Sequence, residues 1–282
     1  QPRDLSEKVL WLKLHDRSPL HTICADKILA RSYVSALDGT DLLVPALLVT
    51  YDILDIDPDV IRAPKFVVKT NHDQGGIYIC DEREAFDWDS VRSEIKARWK
   101  RNKYYDYRER QYRDIRPGVI VEAHISGSGN DKAREIKVNC FHGEPRFVQL
   151  VLDRHANRRH AIYDPEWRRM PVVGRSTELE GEAERPLQLD RMLAAASRLS
   201  HPFLYCRVDF LEGEAGRPWF NEITFHPAAG LVRYRPPEME RAFGDMLDLE
   251  RFEECRKRQR TLWSKTRNRL RLDDGQVAGG LA

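Results

Sequence analysis

The chain lacks most of the features that mark out whole classes of protein. It has no charge excess: 47 Lys and Arg stand against 45 Asp and Glu, a net charge of +2. A dedicated nucleic-acid binder would show a basic surplus over the whole domain, so no nucleic-acid partner is expected. No apolar run approaches the roughly 18 residues needed to cross a bilayer. The five cysteines, Cys24, Cys80, Cys140, Cys206 and Cys255, lie far apart, form no CxxC pair and leave at least one thiol without a mate. Neither a disulfide framework nor a thiolate zinc site is expected; free thiols in a reducing cytoplasm are. Residues 1–10 already mix charged and apolar side chains and do not read as a signal peptide. There is no internal repeat.

What is present is a chain of 282 residues, 41% apolar and 33% charged. That suits one large or two small domains with a sizeable core. Apolar residues recur at three- and four-residue spacing over 5–14 and 26–37, predicting amphipathic helices. Short β-like runs follow at 42–51, 65–70 and 76–80, the last two joined by the loop 71–76. A second helical stretch, rich in Arg, Lys and Tyr, covers 88–112 and breaks at Pro117 and Gly118. Strands are predicted at 119–125, 135–141 and 145–153, a helix at 187–200, and a final hairpin from 204–211 and 218–224. Antiparallel hairpins mixed with helices indicate α+β rather than a doubly wound sheet. The stretch 251–272 carries nine Lys or Arg against two Glu. It reads as a solvated helix end or as a helix lying on an anionic membrane surface. Beyond it the polar, Gly-rich residues to 282 are expected to be disordered.

Three constellations have chemical meaning. Lys69 ends a strand just before Asn71, His72, Gly75 and Gly76. A point charge beside a small loop, whose backbone N–H groups can approach closely, suits a polyphosphate. It is not a GxxxxGK[ST] loop, and a plain hairpin with two glycines explains it nearly as well. Arg207 and Asp209 alternate onto one face of a strand. Pairing across the next hairpin would bring Glu222 beside Asp209, two hard carboxylates that suit Mg²⁺. Acids on an exposed sheet face are the other reading, and the apolar and aromatic flanks favour the buried pair. Asp26 and Lys27, with Arg31 four residues on, read on their own as an ordinary helix start.

In order and spacing together, these pieces resemble the ATP-grasp fold, and more closely the TupA-like ATP-grasp family, named for teichuronopeptide biosynthesis. The segments KFVVKTNHDQGG (65–76), KVNCFHGEPRFVQ (137–149), RVDF (207–210) and FNEITFHPAAG (220–230) carry the resemblance, which spans about residues 20–250. It implies two subdomains, about 26–118 and 119–250, clamping ATP, with a helical stub at 1–25 before them and a basic tail at 251–282 after them. Lys27 and Lys69 match the lysines that reach the phosphates, and the loop with His72, Gly75 and Gly76 matches the flexible phosphate cover. Glu122, Ala123 and His124 fall at the hinge whose backbone reads adenine. Glu135 takes the place of the acid that bonds ribose, with Lys137 two residues on. Asp209 and Glu222 match the magnesium-holding acids. Arg154 and Arg159 lie where arginine is presented to an acyl phosphate. The family often carries Glu-x-Asn on the last metal strand; here Thr224, two residues after Glu222, is expected to take the Asn role among the metal-holding residues, or the second magnesium is held differently. Asn221 would face away on a regular strand.

The resemblance implies an ATP- and Mg²⁺-dependent ligase joining a carboxylate to an amine through an acyl phosphate, in cell-surface polysaccharide or peptide-polymer synthesis. A cytoplasmic setting is expected, with peripheral contact at the inner membrane face through the basic tail. A glycosyltransferase or an ATP-grasp kinase are the alternatives. The two lysines ahead of a glycine loop fit a triphosphate better than a nucleotide sugar.

Overall fold

The computed structural model describes residues 1–56, 58–127, 133–152, 159–174 and 177–270. The elements in chain order begin with helices α1 (Leu5–His15), α2 (Pro19–Ala25) and α3 (Leu29–Asp38). Strands β1 (Ala46–Thr50), β2 (Phe66–Thr70) and β3 (Ile77–Cys80) follow, then helices α4 (Trp88–Trp99) and α5 (Tyr104–Tyr107). Next come β4 (Val119–Ala123), β5 (Arg134–Phe141), β6 (Glu144–Leu152), β7 (Arg159–Tyr163) and β8 (Thr177–Glu178). The chain ends with α6 (Leu189–Ser200), β9 (Tyr205–Glu212), β10 (Pro218–Thr224), α7 (Pro237–Asp245) and α8 (Phe252–Leu270).

Two sheets organise these elements: a four-stranded one in the order β1-β4-β2-β3 and a six-stranded one in the order β10-β9-β5-β6-β7-β8. Strand β4, which follows the expected 118/119 division, lies between β1 and β2 in the first sheet. Among the described residues every strand pairing is antiparallel except the short β7–β8 pair, and the isolated Leu43–Phe220 bridge is parallel.

The six-stranded sheet is covered on both faces, which is why β5 is buried almost throughout. Ile136, Val138 and Cys140 of β5 join Cys206, Val208 and Phe210 of β9 against Met192, Ala195, Ala196 and Leu199 of α6. Period-two alternation turns Glu135, Lys137 and Asn139, with Arg207 and Asp209, to the opposite face. The four-stranded sheet packs Phe66, Val68, Val119 and Val121 against Val91 and Ile95 of α4.

Helices α1 and α8 both pack into the molecule. Leu5, Val9 and Leu12 of α1 are buried with Phe243 and Leu247 beside α7 and with Cys255 of α8. Leu262 and Trp263 of α8 pack on the main core, and Gln259 donates to Asp16 at 3.0 Å. The helical stretch expected at 88–112 is broken: α4 stops at Trp99, and Arg108 adopts a left-handed conformation (φ 58°) after the single turn of α5. Helix α2 went unread because its seven residues are too few to show a period.

Candidate active site

A β-bulge shapes the site on the six-stranded sheet. Phe220 pairs with Phe210 and Glu222 with Asp209, so Asn221 is the extra residue. A regular strand would put residues 220 and 222 on one face. The bulge instead leaves Phe220 and Ile223 in the core while Glu222 and Thr224 join Asp209 on the other face. It also re-aims Asn221, which does not face away: its Oδ1 accepts from Lys69 Nζ at 3.3 Å, across from the other sheet.

Asp209 is the centre of this face. Arg207 Nε donates to Oδ1 at 2.6 Å and Nη2 to Oδ2 at 2.7 Å; Lys137 Nζ reaches Oδ2 at 2.7 Å. Burial alone would raise this carboxyl, but Arg207 and Lys137 outweigh it and hold it down at about 2. Arg207 Nη2 also donates to Thr224 Oγ1 at 3.2 Å and lies 3.8 Å from Glu222 Oε1. Lys137 sits opposite Asp209 in the β5–β9 register and bonds Glu135 Oε2 at 3.0 Å. Glu135, expected at ribose, and Lys137, expected two residues on as a basic ATP-binding position, both lie on the face of the carboxylate cluster, as alternation and register require.

Lys69 ends β2 buried, with Nζ 2.8 Å from Glu122 Oε2, while Arg31 Nη1 donates to Glu122 Oε1 at 2.7 Å. Lys27 Nζ donates to the Asp73 carbonyl at 2.8 Å. Burial lowers its pKa, with opposing pulls from Glu222 and Asp73 and a further lowering from Lys69. Lys27, Lys69 and Glu222 thus share one neighbourhood.

The loop after Lys69 is built by close contacts. A Cβ on Gly76 would meet Thr70 Oγ1 at 1.9 Å, and Gly75 has φ +89°, so glycine is required at both. Thr70 Oγ1 donates to Asp73 Oδ1, and Arg98 Nη1 donates to Asp73 Oδ2 at 2.7 Å. Asn71 Nδ2 donates to Asp26 Oδ1 at 3.0 Å, tying the loop to the α2–α3 junction. Burial pushes Asp26 up to about 6, against hydrogen bonds from Asn71, Ile28 and Leu29.

His72, Glu122, Ala123 and His124 each have partners within the protein. His72 is buried with Nδ1 3.2 Å from Asn71 Oδ1 and Nε2 3.2 Å from the Arg98 carbonyl, so both ring nitrogens have partners within the protein. The Glu122 side chain is a counter-ion rather than a bystander to its backbone, and the Ala123 N–H is spent on the Pro45 carbonyl at 3.0 Å. His124 lies at the sheet rim, 3.8 Å from Asp81. Arg159 is on β7, three strands or about 14 Å across the sheet from β9, and is not brought to Asp209. Arg154 lies outside the described residues.

Sequence reasoning missed Arg207, Arg31 and Asn221 as site residues. Arg207 was legible, since its alternation with Asp209 had been noted. Asn221 was not, because nothing local marks the bulge.

Among the described residues no group of three or more His, Cys, Asp or Glu side chains could hold a metal ion. Two carboxylates on one face nonetheless fit Mg²⁺, which keeps water and phosphate oxygens as its other ligands. The ionised state of Asp209 and the outward, partly exposed Glu222 suit that role.

A family model described as TupA-like ATP-grasp matches residues 7–248. Among solved structures, D-alanine–D-alanine ligase from Bacillus anthracis is 18% identical with a TM-score of 0.49, covering 85% of this chain and 70% of that one. The VanG D-Ala:D-Ser ligase from Enterococcus faecalis is 16% identical with a TM-score of 0.47, covering 80% and 60%. The ATP-grasp ligase PsnB, complexed with a phosphomimetic variant of its minimal precursor, Mg and ADP, is 12% identical with a TM-score of 0.43, covering 93% and 66%. No curated protein matches the sequence.

Proposed function

The chain belongs to the TupA-like ATP-grasp family, and from that premise we propose that it is an ATP- and Mg²⁺-dependent ligase joining a carboxylate to an amine. The observation that carries this reading is the meeting of two sheets at Lys69. One sheet brings a buried lysine and a glycine loop; the other brings Asn221, Glu222, Asp209 and Arg207 to the same place.

In this reading Lys69, Lys27 and the backbone of Gly75 and Gly76 hold the phosphates, and the backbone at Ala123 and His124, where β4 ends, reads the base. A carboxylate oxygen of the first substrate attacks the γ-phosphorus, the bond to the β–γ bridging oxygen breaks, and ADP leaves. The acyl carbon then takes the amine nitrogen, inorganic phosphate departs, and the amine gives up a proton. Arg207 neutralises charge that builds on the transferred phosphoryl group. Asp209 and Glu222 would hold Mg²⁺, which when bound compensates phosphate charge and aligns the reacting oxygens. Lys137 and Arg207 keep Asp209 ionised for that purpose.

The substrate class follows only from the family's name: a uronic acid or similar sugar-linked carboxylate and an amino acid, in surface-polymer synthesis. The basic helix α8 supports peripheral contact with an anionic membrane. Its stretch 255–270 carries seven Lys or Arg and no acid, and no helix among the described residues is long and apolar enough to cross a bilayer. The test is an ADP-release screen pairing uronic acids and nucleotide sugars with amino acids, followed by mass spectrometry. A condensed amide product supports ligation. A phosphorylated product with no amine incorporated replaces it with a kinase, and glycosyl transfer without ADP formation with a transferase.

A further inference from the structure

A second buried polar cluster is formed by Glu109, Gln111 and His226. Glu109 is only 1% exposed, and among the described residues no donor reaches its Oε2. Its Oε1 accepts from Gln111 Nε2 at 3.3 Å. The same Gln111 nitrogen is 3.2 Å from Nδ1 of His226. Gln111 thus spends both amide protons and leaves Nδ1 of His226 as an acceptor. Burial, with His21 and Lys13 nearby, lowers the His226 pKa well below its usual value. The 3.8 Å contact between His226 and Glu109 is therefore not an ion pair.

Burying a carboxyl with one oxygen unanswered is costly, and burial raises Glu109 to about 7 against Lys13, Lys103 and the Gln111 hydrogen bond. Folding alone gives no return for that cost. Position offers one. Tyr112, three residues on, feels the charges of Glu109, Glu222 and Arg207 together, and its hydroxyl accepts from Gln74 of the glycine loop at 3.2 Å. His226 leads directly from β10 into a turn where Ala228 (φ 45°) and Ala229 (φ 59°) are both left-handed. That backbone is strained for residues with a Cβ, and Lys13 holds it by donating to the Ala229 carbonyl at 2.8 Å.

We propose that Glu109, held by Gln111 and flanked by His226 and the 227–230 turn, is the recognition site for the ammonium group of the amine substrate. A primary ammonium supplies the donor that Glu109 Oε2 lacks and the charge that makes a buried carboxylate affordable. Tyr112 feels Glu109 and also Glu222 and Arg207, which sets the site toward the end of the cleft where an amine must arrive to meet an acyl phosphate. This inference rests on the ligase reading above.

The test uses the full chain and its Glu109→Gln and Glu109→Asp variants, with the twenty amino acids supplied singly as amines and uronic acids as carboxylates. Glu109→Gln should raise KM for the amino acid that is turned over by about 10- to 100-fold. KM for the carboxylate and the calorimetric affinity for ATP–Mg²⁺ should stay within about 2-fold of wild type. Glu109→Asp should recover part of the loss. Hydroxylamine, largely uncharged at neutral pH, should show a smaller rise in KM than the amino acid. An unchanged KM for the amino acid overturns the proposal and leaves the ligase reading standing. So does an equal rise for amino acid and hydroxylamine, because shape and not charge is then being read. Wild-type protein that binds ATP–Mg²⁺ but releases no ADP with any pair removes the ligase reading, and this site with it.

Discussion

Replacing Lys69 by Met tests the cleft most directly, because two costs of different origin can be separated. The change keeps side-chain length and removes one charge. In a partly desolvated cleft a lost charged contact to phosphate costs about 2–5 kcal/mol, roughly a 30- to 5,000-fold loss of ATP–Mg²⁺ affinity. The structure adds a second cost, since Lys69 is buried against Glu122 at 2.8 Å. Breaking a buried pair costs about 3–5 kcal/mol when the survivor is left alone. Glu122 is not left alone: Arg31 still donates to it at 2.7 Å. A stability loss of about 1–2 kcal/mol is therefore expected, a fall in Tm of about 2–8 °C. Arg31→Met is the matched control. It removes the other cation from Glu122, should cost similar stability, and should weaken ATP–Mg²⁺ by less than about 10-fold. Calorimetric titration of the three proteins at one temperature decides. If the two variants lose affinity equally, Lys69 acts only by positioning Glu122, and its phosphate role is wrong.

Glu222→Gln should abolish ADP release while leaving the melting curve in place, because Glu222 is partly exposed and its nearest cation, Arg207, is 3.8 Å away; full turnover at ordinary Mg²⁺ refutes the metal assignment. Asp209, held at about 2 when folded, contributes about 2 kcal/mol that is fully present above pH 4 and lost as pH falls through 2. Thermal scans from pH 5 to 2 should thus show a steeper fall for wild type than for Asp209→Asn, and parallel curves would refute the pairing. Reversing Arg256, Lys257, Arg260 and Lys265 to Glu should abolish binding to anionic vesicles, which in wild type should weaken steeply with salt. Salt-insensitive binding would count against electrostatic docking. Truncation after Glu250 is not a usable alternative, since it would strip Cys255, Gln259, Leu262 and Trp263 from the packed interior.

Much of the fold was legible because it follows local rules. Period-two alternation put Arg207 and Asp209 on one face, and the paired β-like runs at 204–211 and 218–224 marked the β9–β10 hairpin. Both survive in the structure. What sequence could not show came from non-local pairing. Strand β4 looks like the start of the second half of the chain, yet it completes the first sheet between β1 and β2, and no pattern within 119–123 specifies that choice. His72 sits among phosphate-binding residue types but is spent on Asn71 and Arg98, a contact made 26 residues away. The basic stretch after residue 250 read as a solvated tail because its buried face is thin. Cys255, Gln259 and Leu262 are spaced four and three apart, enough to anchor a helix while its charges dominate the composition.

The charges of the cleft nearly cancel before any ligand arrives. Lys69 and Arg31 face Glu122, while Lys137 and Arg207 face Asp209 and Glu135. This pairing lets buried cations exist without phosphate, since an isolated charge in that setting would be too costly to fold around. On the proposed reading, a triphosphate therefore finds Lys69 already paired. To take Lys69 it must displace Glu122, and Arg31 is placed to hold that carboxylate once Lys69 has turned away. Binding becomes an exchange of partners in which the number of charge pairs is conserved. Discrimination then rests on geometry: only a ligand whose oxygens reach Lys69, Lys27 and the glycine loop together recovers what the exchange gives up. A divalent cation arriving with the nucleotide completes the balance. It adds positive charge on the phosphate side and gives Glu222, whose nearest cation is 3.8 Å away, a partner of its own.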